Sequence, residues 1–275
     1  MFRYMLAPME DYTDSAFRTL CFKHGADLAF TEIAKVDGLA RRNKATWKKL
    51  AWHDATPTQI QILPGKDEKL EQFLKIFEPQ DGFLGFNLNF GCPAPDVMAA
   101  GRGSAMVKRI AKANRLISII RKREYPVSIK MRLGANAFEK GVKVYMNLIN
   151  GADPDFFVIH ARTGEETYND KPDYSVFEEC ASSGKEIIAN GDIDSAEKAE
   201  ALKKTGVKGV MIGRAAVRNP AIFDLLKGKG VPSPEELKKE YSLLAEKYGS
   251  DERHKKNALM RIGQKFSANE LGKDA

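Results

Sequence analysis

Short apolar segments, each followed by a longer amphipathic stretch, constrain the fold of this chain more than any other feature. Eight segments have the length and residue types of β-strands. They cover residues 3–8, 27–33, 58–63, 84–90, 126–133, 155–160, 186–190 and 208–213. Eight strand–helix units in about 220 residues predict an α/β fold, the (β/α)8 or TIM barrel.

A doubly wound parallel sheet is the alternative that fits the same alternation. That fold calls for a glycine-rich phosphate turn after its first strand, whereas residues 7–11 here read APMED. Residues 229–234 have the composition of a linker, and the chain from 235 onward is helical in pattern, without a strand candidate. We therefore predict a barrel domain over 1–228 and a small C-terminal helical region over 235–275.

Composition and cysteine usage narrow the class of protein. The 275 residues are 43% hydrophobic and 29% charged, as in a globular protein. No apolar run reaches the ~20 residues that span a bilayer, and the first residues lack the pattern of a signal peptide. The three cysteines are too far apart for a metal pair or a disulfide framework. We expect a cytoplasmic protein without a membrane segment or a metal site.

Basic residues concentrate in two runs, although the net charge of +7 is mild. Residues 102–123 contain eight basic residues and no acidic one, and residues 253–265 contain five and none. Two solvated helix faces would account for this pattern. A surface that binds a polyanion is the other interpretation.

Polar groups stand where the predicted strands end, which in such a barrel is the catalytic face. The residues at these ends, most of them polar or cationic, include Pro8, Met9, Glu32, Gln59, Gln61, Asn89, Cys92, Lys130, Arg132, His160, Arg162, Asn190, Asp192, Gly213 and Arg214. The last two loops, 190–192 and 213–214, predict a phosphate site. Lys130 lies on an otherwise apolar strand and needs an anionic partner. A reduced flavin ring is one such partner, and an ion pair with Glu32 is the alternative.

Seven segments, in order along the chain, resemble motifs of the tRNA-dihydrouridine synthase family. They are LAPMEDYTDSAFR (6–18), PTQIQI (57–62), LNFGCPAP (88–95) with GRGSAMVK (101–108), SIKMRLG (128–134), VIHARTGEETY (158–168), IIANGDI (187–193) and VMIGRAAVRNP (210–220). The resemblance covers roughly residues 1–225. The region after it is short and shows little similarity to the helical domain of that family.

The resemblance implies an FMN-dependent enzyme that uses NADPH (or NADH) to reduce selected uridines of tRNA to 5,6-dihydrouridine. It implies a barrel that holds FMN, a helical region that binds tRNA, and no obligate protein partner. Carried over residue by residue, it assigns cofactor contacts to Pro8, Met9, Gln61, Lys130, His160, Asn190, Asp192, Gly213 and Arg214. It assigns substrate contacts to Asn89, Arg102, Arg162 and Tyr168.

The same resemblance makes Cys92 the catalytic proton donor. Hydride would pass from N5 of FMN to C6 of uracil, and the thiol would protonate C5. An ordinary thiol, with a pKa of about 8.5, is still protonated near neutral pH and suits this task. Pro93 follows the cysteine and no histidine lies within twenty residues of it, so the sequence shows no base that would activate a thiolate.

Two other functions fit parts of the same pattern. An FMN-dependent dehydrogenase of the dihydroorotate or dihydropyrimidine type would act on a free base, and it would have no use for the basic runs. A catalytically inactive RNA-binding barrel would have no use for the cysteine, lysine and histidine at the strand ends.

Overall fold

The structure is a computed structural model, and it describes residues 1–51, 53 and 55–264. Its strands are β1 (Arg3–Leu6), β2 (Ala29–Phe30), β3 (Ala34–Lys35), β4 (Thr58–Leu63), β5 (Phe83–Phe90), β6 (Val127–Arg132), β7 (Phe157–His160), β8 (Ile187–Asn190) and β9 (Gly209–Ile212). Its helices are α1 (Ser15–Lys23), α2 (Val36–Ala40), α3 (Lys44–Lys48), α4 (Asp67–Ile76), α5 (Pro95–Ala99), α6 (Ile110–Arg121), α7 (Ala137–Gly141), α8 (Val144–Gly151), α9 (Val176–Ser182), α10 (Ala196–Lys204), α11 (Arg214–Arg218), α12 (Ile222–Leu226), α13 (Pro234–Tyr248) and α14 (Glu252–Arg261). A 3₁₀ turn (Gly103–Met106) precedes α6.

The strands form one parallel sheet in the order β1-β9-β8-β7-β6-β5-β4-β2, so the first strand pairs with the last. A bridge between Met5 and Leu28 brings β1 to the β2 edge and nearly closes the barrel. The predicted (β/α)8 fold is confirmed.

The second predicted strand, 27–33, is the one that differs. It is reduced to β2, and the separate β3 pairs with β4 further along. The ladder is interrupted at Thr31, whose hydroxyl rather than a backbone carbonyl accepts the Gln61 N–H (3.0 Å). A strand that is interrupted in this way leaves one edge of the barrel short.

Alternate residues of the strands pack into two cores, as parallel strands buried on both faces require. The smaller core fills the barrel and contains Met5, Ala7, Leu28, Phe30, Phe156, Val158, Ile188 and Met211. The larger core lies between the sheet and the surrounding helices and includes Phe157 and Ile159, the neighbours of Val158. The barrel floor is therefore solid, and a ligand can enter only at an end.

The helices after the barrel pack back onto its beginning. The Tyr241 ring of α13 meets the Phe17 ring of α1 edge-on, with the ring centroids 6.2 Å apart. In α14, His254 Nε2 lies 2.8 Å from Glu32 Oε1, and Arg253 pairs with Asp11 at 2.6 Å. The predicted helical region thus contains two helices, and its part from 265 to 275 lies outside the described residues.

No helix in the described part of the chain is both long enough and apolar enough to cross a membrane.

Candidate active site

The parallel register places the predicted site residues side by side at the carboxyl ends of the strands. Asn89 of β5 stands opposite Lys130 of β6, and His160 of β7 stands opposite both Arg132 and Asn190. Two adjoining cavities open here, of about 310 and 510 Å³. Both are lined by Pro8, Met9, Lys130, His160 and Tyr168.

The smaller cavity lies at the ends of β1, β8 and β9 and has a polar wall. Asn190, Asp192, Gly213 and Arg214 line it, as the two strand-end loops predict. Space at Gly213 is tight, because a Cβ there would lie 3.1 Å from the Met9 sulfur, which would have to shift slightly. The cavity therefore offers a ligand two features, which are backbone at Gly213 that it can approach closely and the guanidinium of Arg214.

Asp192 holds that guanidinium in place. Its carboxylate accepts hydrogen bonds from both Arg162 and Arg214. Burial opposes the charge of Asp192, but the two arginines outweigh burial and lower the pKa of its carboxyl. A carboxylate repels a phosphate, and the contact that Asp192 makes here is with Arg214, which it orients. Its predicted contact with the cofactor stays a prediction.

Arg214 retains one unused donor. Among the described residues, its buried Nη1 has no hydrogen-bond partner, while the guanidinium stacks over the Tyr168 ring at 4.1 Å. Buried donors are rarely left unpaired in native proteins. A bound phosphate oxygen would satisfy this nitrogen, so the site fits the phosphate end of FMN.

The buried imidazole of His160 is neutral. Burial, together with the surrounding positive charges of Lys130, Arg132, Arg162 and Arg214, lowers the pKa of His160 well below its usual value. Its Nε2 lies 3.1 Å from Arg162 Nη1, and an arginine can only donate, so Nε2 accepts and the proton resides on Nδ1. His160 therefore offers one N–H and no charge to a ligand.

The ammonium of Lys130 stands at the wall shared by the two cavities. Burial and the neighbouring Arg132 charge lower the pKa of Lys130 to about 7. The alternative partner Glu32 is engaged by His254 instead, and no carboxylate of the described residues pairs with Lys130. The ammonium is therefore available to an anion in the cavity.

We expect replacement of Lys130 by Met to stabilise the flavin-free protein, and more so near pH 6 than near pH 9. Because the folded pKa of about 7 lies below the ordinary 10.5, the folded protein binds fewer protons than the unfolded chain between these values. The contribution of Lys130 to the free energy of unfolding therefore rises with pH between these two pKa values. Below the lower value the protein bears the whole cost of burying the charge. In urea unfolding the gain near pH 6 should exceed the gain near pH 9 by about 2–3 kcal/mol, because the two pH values differ by about two units of this titration at about 1.36 kcal/mol per unit. Exposed Lys122→Met is the control. An equal gain at both pH values would contradict the lowered pKa.

Cys92 lies in a loop whose shape is set by Asn89. The Asn89 side-chain oxygen accepts hydrogen bonds from the backbone N–H groups of Gly91 (3.1 Å) and Cys92 (2.9 Å). The Cys92 carbonyl in turn accepts from the Ser104 N–H at 3.0 Å. Cys92 lines the larger cavity, whereas Cys21 and Cys180 are buried away from it. Of the three thiols, this is the one presented to a ligand.

A chain of buried amides crosses the barrel beneath this loop. Asn89 Nδ2 donates to Gln61 Oε1 (2.9 Å), and Gln61 Nε2 donates to Asn87 Oδ1 (2.8 Å). The chain continues through Ser128 to Gln59. A network whose members are satisfied is rigid. It explains why both glutamines of β4 face inward, and it fixes Asn89 and hence the thiol loop.

Two residues predicted to contact substrate lie elsewhere. Arg162 is fully buried, and its guanidinium binds His160, Asp192 and the Asp170 carbonyl without lining either cavity. Arg102 pairs with Asp37 at 2.6 Å and lines a separate groove. Asn89 supports the loop and also lines the larger cavity, and Tyr168 lines both cavities. The predicted contacts of these residues with substrate stay predictions.

Some cavity residues were absent from the predicted site. Arg132, two positions beyond Lys130 on β6, was named among the strand-end groups but was given no cofactor or substrate contact, and it lines the larger cavity. From α14, Arg253, Asn257, Met260 and Arg261 line the same cavity. No sequence signal linked that helix to the barrel mouth.

The first basic run spans both ends of the barrel. Helix α6 descends from the catalytic face to the opposite end, where Arg121 Nη2 lies 3.1 Å from Asp155 Oδ1. Asp155 also accepts from the N–H of Val127, the first residue of β6. The residues 121–123 are therefore remote from the cavities, and only the earlier part of the run stands near them. In the second run, Lys265 lies outside the described residues.

No group of three or more histidine, cysteine, aspartate or glutamate side chains able to hold a metal is found in the described part of the chain.

A family comparison decides the relationship. The model of the family described as "Dihydrouridine synthase (Dus)" matches residues 5–271. The chain belongs to the dihydrouridine synthase family. The match extends well past residue 225, so the expectation that the resemblance ends there is wrong.

Curated relatives of this dihydrouridine synthase family member support the assignment. It is 34% identical over 248 residues to a "Probable tRNA-dihydrouridine synthase" of Helicobacter pylori (strain J99), a match that covers 86% of this chain and 74% of the relative. It is 30% identical over 240 residues to "tRNA-dihydrouridine synthase B" of Pseudomonas putida, covering 84% and 71%.

The fold of this family member is shared with a solved structure. Morphinone reductase, in its N189A variant in complex with tetrahydroNAD, superimposes with a TM-score of 0.58 at 11% identity and covers 87% of this chain and 90% of its own. At this identity the likeness concerns the fold alone, and it agrees with the barrel described above.

Proposed function

We propose that this protein reduces specific uridines of tRNA to 5,6-dihydrouridine, with FMN as its cofactor and NADPH or NADH as the reductant. Relatives with that name, matched over most of the chain, support the reaction. The observation that carries the proposal is that the accessible thiol of Cys92 lines the larger cavity. This cavity shares Lys130 with the smaller one, where Arg214 offers a contact for an anion.

The residues of the smaller cavity fit FMN. Arg214 would take the phosphate through its unpaired Nη1, while Asn190 and Gly213 would line the same end. Pro8 and Met9, together with Gln61 of the adjoining larger cavity, would border the ring system. His160 would donate from Nδ1, and Lys130 would meet the negative charge of the reduced ring. A reduced flavin held by these residues would supply the hydride of the reaction.

The larger cavity would receive the target base. The base is stacked inside tRNA, so it must be extruded to reach Cys92. The thiol would then give its proton to C5, and the amide of Asn89 would keep the loop in place during the transfer. Arg132 and Tyr168 line the space that the base would occupy.

The helical region from 235 onward would contribute to tRNA binding, because α14 supplies Arg253 and Arg261 to the rim of this cavity. We retain the division into a barrel over 1–228 and a helical region over 235–275, and the cytoplasmic location, as parts of this proposal.

The test is a map of dihydrouridine in tRNA from cells that lack this protein. At least one position should lose the modification and regain it when the gene is restored. The purified protein should release FMN on denaturation and should consume NADPH in the presence of that tRNA. Turnover of free uracil or orotate without RNA would favour a free-pyrimidine dehydrogenase. A flavin-free protein that binds tRNA without reducing it would favour an inactive barrel.

A further inference from the structure

A groove of about 700 Å³ lies beside the active site and shares no lining residue with its two cavities. We call it the cationic groove, because no acidic residue of the described chain lines it. Its basic residues are Lys66, Arg102, Lys108, Arg109, Lys112 and Arg115.

Nearby carboxylates offset only part of this charge. Arg102 pairs with Asp37, and Lys108 pairs with Glu139 at 2.7 Å. Asp67 serves both Lys112 and Arg115. These are three carboxylates against six cations. Within the described residues Lys66 and Arg109 form no ion pair, so the groove keeps a positive excess.

The N-terminus of α6 adds to this field. The twelve-residue helix begins at Ile110, and the first-turn residues Ile110 and Lys112 line the groove. Its N-cap residue, Arg109, makes no side-chain capping bond, and the first turn contains no acidic residue. Free N–H groups and the helix dipole at such an end favour a negative ligand.

The groove and the thiol belong to one segment of chain. Residues 91–93 line the larger active-site cavity, and residues 100–102 line the cationic groove. The two parts are joined because the Cys92 carbonyl accepts from both the N–H and the hydroxyl of Ser104. An anion in the groove would therefore lie on the catalytic face, next to the thiol loop.

We propose that the cationic groove binds the sugar–phosphate backbone of the tRNA outside the nucleotide that is reduced. This rests on the proposed function. When a base is extruded into a cavity, its flanking phosphates remain on the surrounding face and need cationic contacts. The groove provides them without reading sequence.

The test replaces Lys66, Arg109 and Arg115 by Gln in one variant. Lys66 and Arg109 have no ion pair to lose among the described residues, and Asp67 keeps Lys112. tRNA binding should weaken on the order of 10-fold at low salt. The slope of log K against log salt should become shallower by about 2, because each lost phosphate contact removes roughly 0.7–0.9. Flavin reduction by NADPH should be unchanged.

The matched control replaces Lys75, Lys122 and Arg123 by Gln. All three are exposed and line a small cleft between the ends of α4 and α6, at the opposite end of the barrel. The charge change is the same, and we expect wild-type affinity and slope.

Three outcomes would overturn the proposal. Equal weakening in both triple variants would mean that net charge, not the groove, matters. Wild-type affinity and salt slope in the groove variant would show that the groove does not bind the tRNA backbone. The proposed function would still stand, because the parent enzyme would still bind and reduce tRNA. Failure of the wild-type protein to bind tRNA would end both proposals.

Discussion

Replacing Cys92 by Ala should slow the oxidation of the reduced flavin by tRNA by about 10²–10⁴-fold, the usual worth of a positioned general acid. The reduction of the flavin by NADPH should stay near the wild-type rate, because the variant loses a proton donor and neither cofactor nor reductant. Stopped-flow measurement of the two half-reactions separates these effects. Ser at this position should restore little, since a hydroxyl is much less acidic than a thiol.

The competing proton donor is Lys130, whose pKa of about 7 would let an ammonium act as an acid near neutral pH. Wild-type oxidation by tRNA in Cys92→Ala would favour that residue and contradict the role of the thiol. Cys180→Ala is the matched control, because Cys180 is buried in the core beside Met146 and should affect stability without affecting either half-reaction.

Replacing Arg214 by Ala should weaken the binding of FMN to flavin-free protein by about 10–150-fold, the value of a lost charged hydrogen-bond pair. Binding of riboflavin, which lacks the phosphate, should change little. Asp192 keeps Arg162 as a partner, so the loop should survive the substitution. Titrations that follow flavin fluorescence measure both affinities.

Arg3→Ala is the control for this experiment, because Arg3 pairs with Glu186 at the other end of β1. If Arg214→Ala weakened the binding of riboflavin as much as that of FMN, Arg214 would support the shape of the cavity rather than bind the phosphate. Unchanged FMN binding would mean that the phosphate is held elsewhere.

Features that repeat along a strand were predictable from the sequence. The eight apolar segments gave the barrel, and their polar ends named residues that do line its mouth, such as Lys130, His160 and Arg214. This works because the carboxyl ends of parallel strands share one face, whichever strands are neighbours.

Features that depend on where the chain turns were not predictable. Arg162 follows His160 by two positions, so strand periodicity places both on one side. The strand ends at His160, however, where the Arg162 N–H donates to the His160 carbonyl (2.7 Å). The guanidinium is fully buried, with its Nη1 3.1 Å from His160 Nε2. Similarly, the partner of Glu32 is His254, which lies 222 positions away in a helix with no recognisable link to β2.

The pairing of β1 with β9 has a consequence for synthesis of the protein. On its other side β1 is joined to the chain around Leu28 by one bridge, so its main partner is the last barrel strand to be made. At ~5–20 residues per second, β1 waits on the order of 10–40 seconds on the ribosome before β9 emerges. The seam beside β1 is covered by α1, which is itself packed against the still later α13. Nascent chains should therefore expose this seam until translation has passed Tyr248.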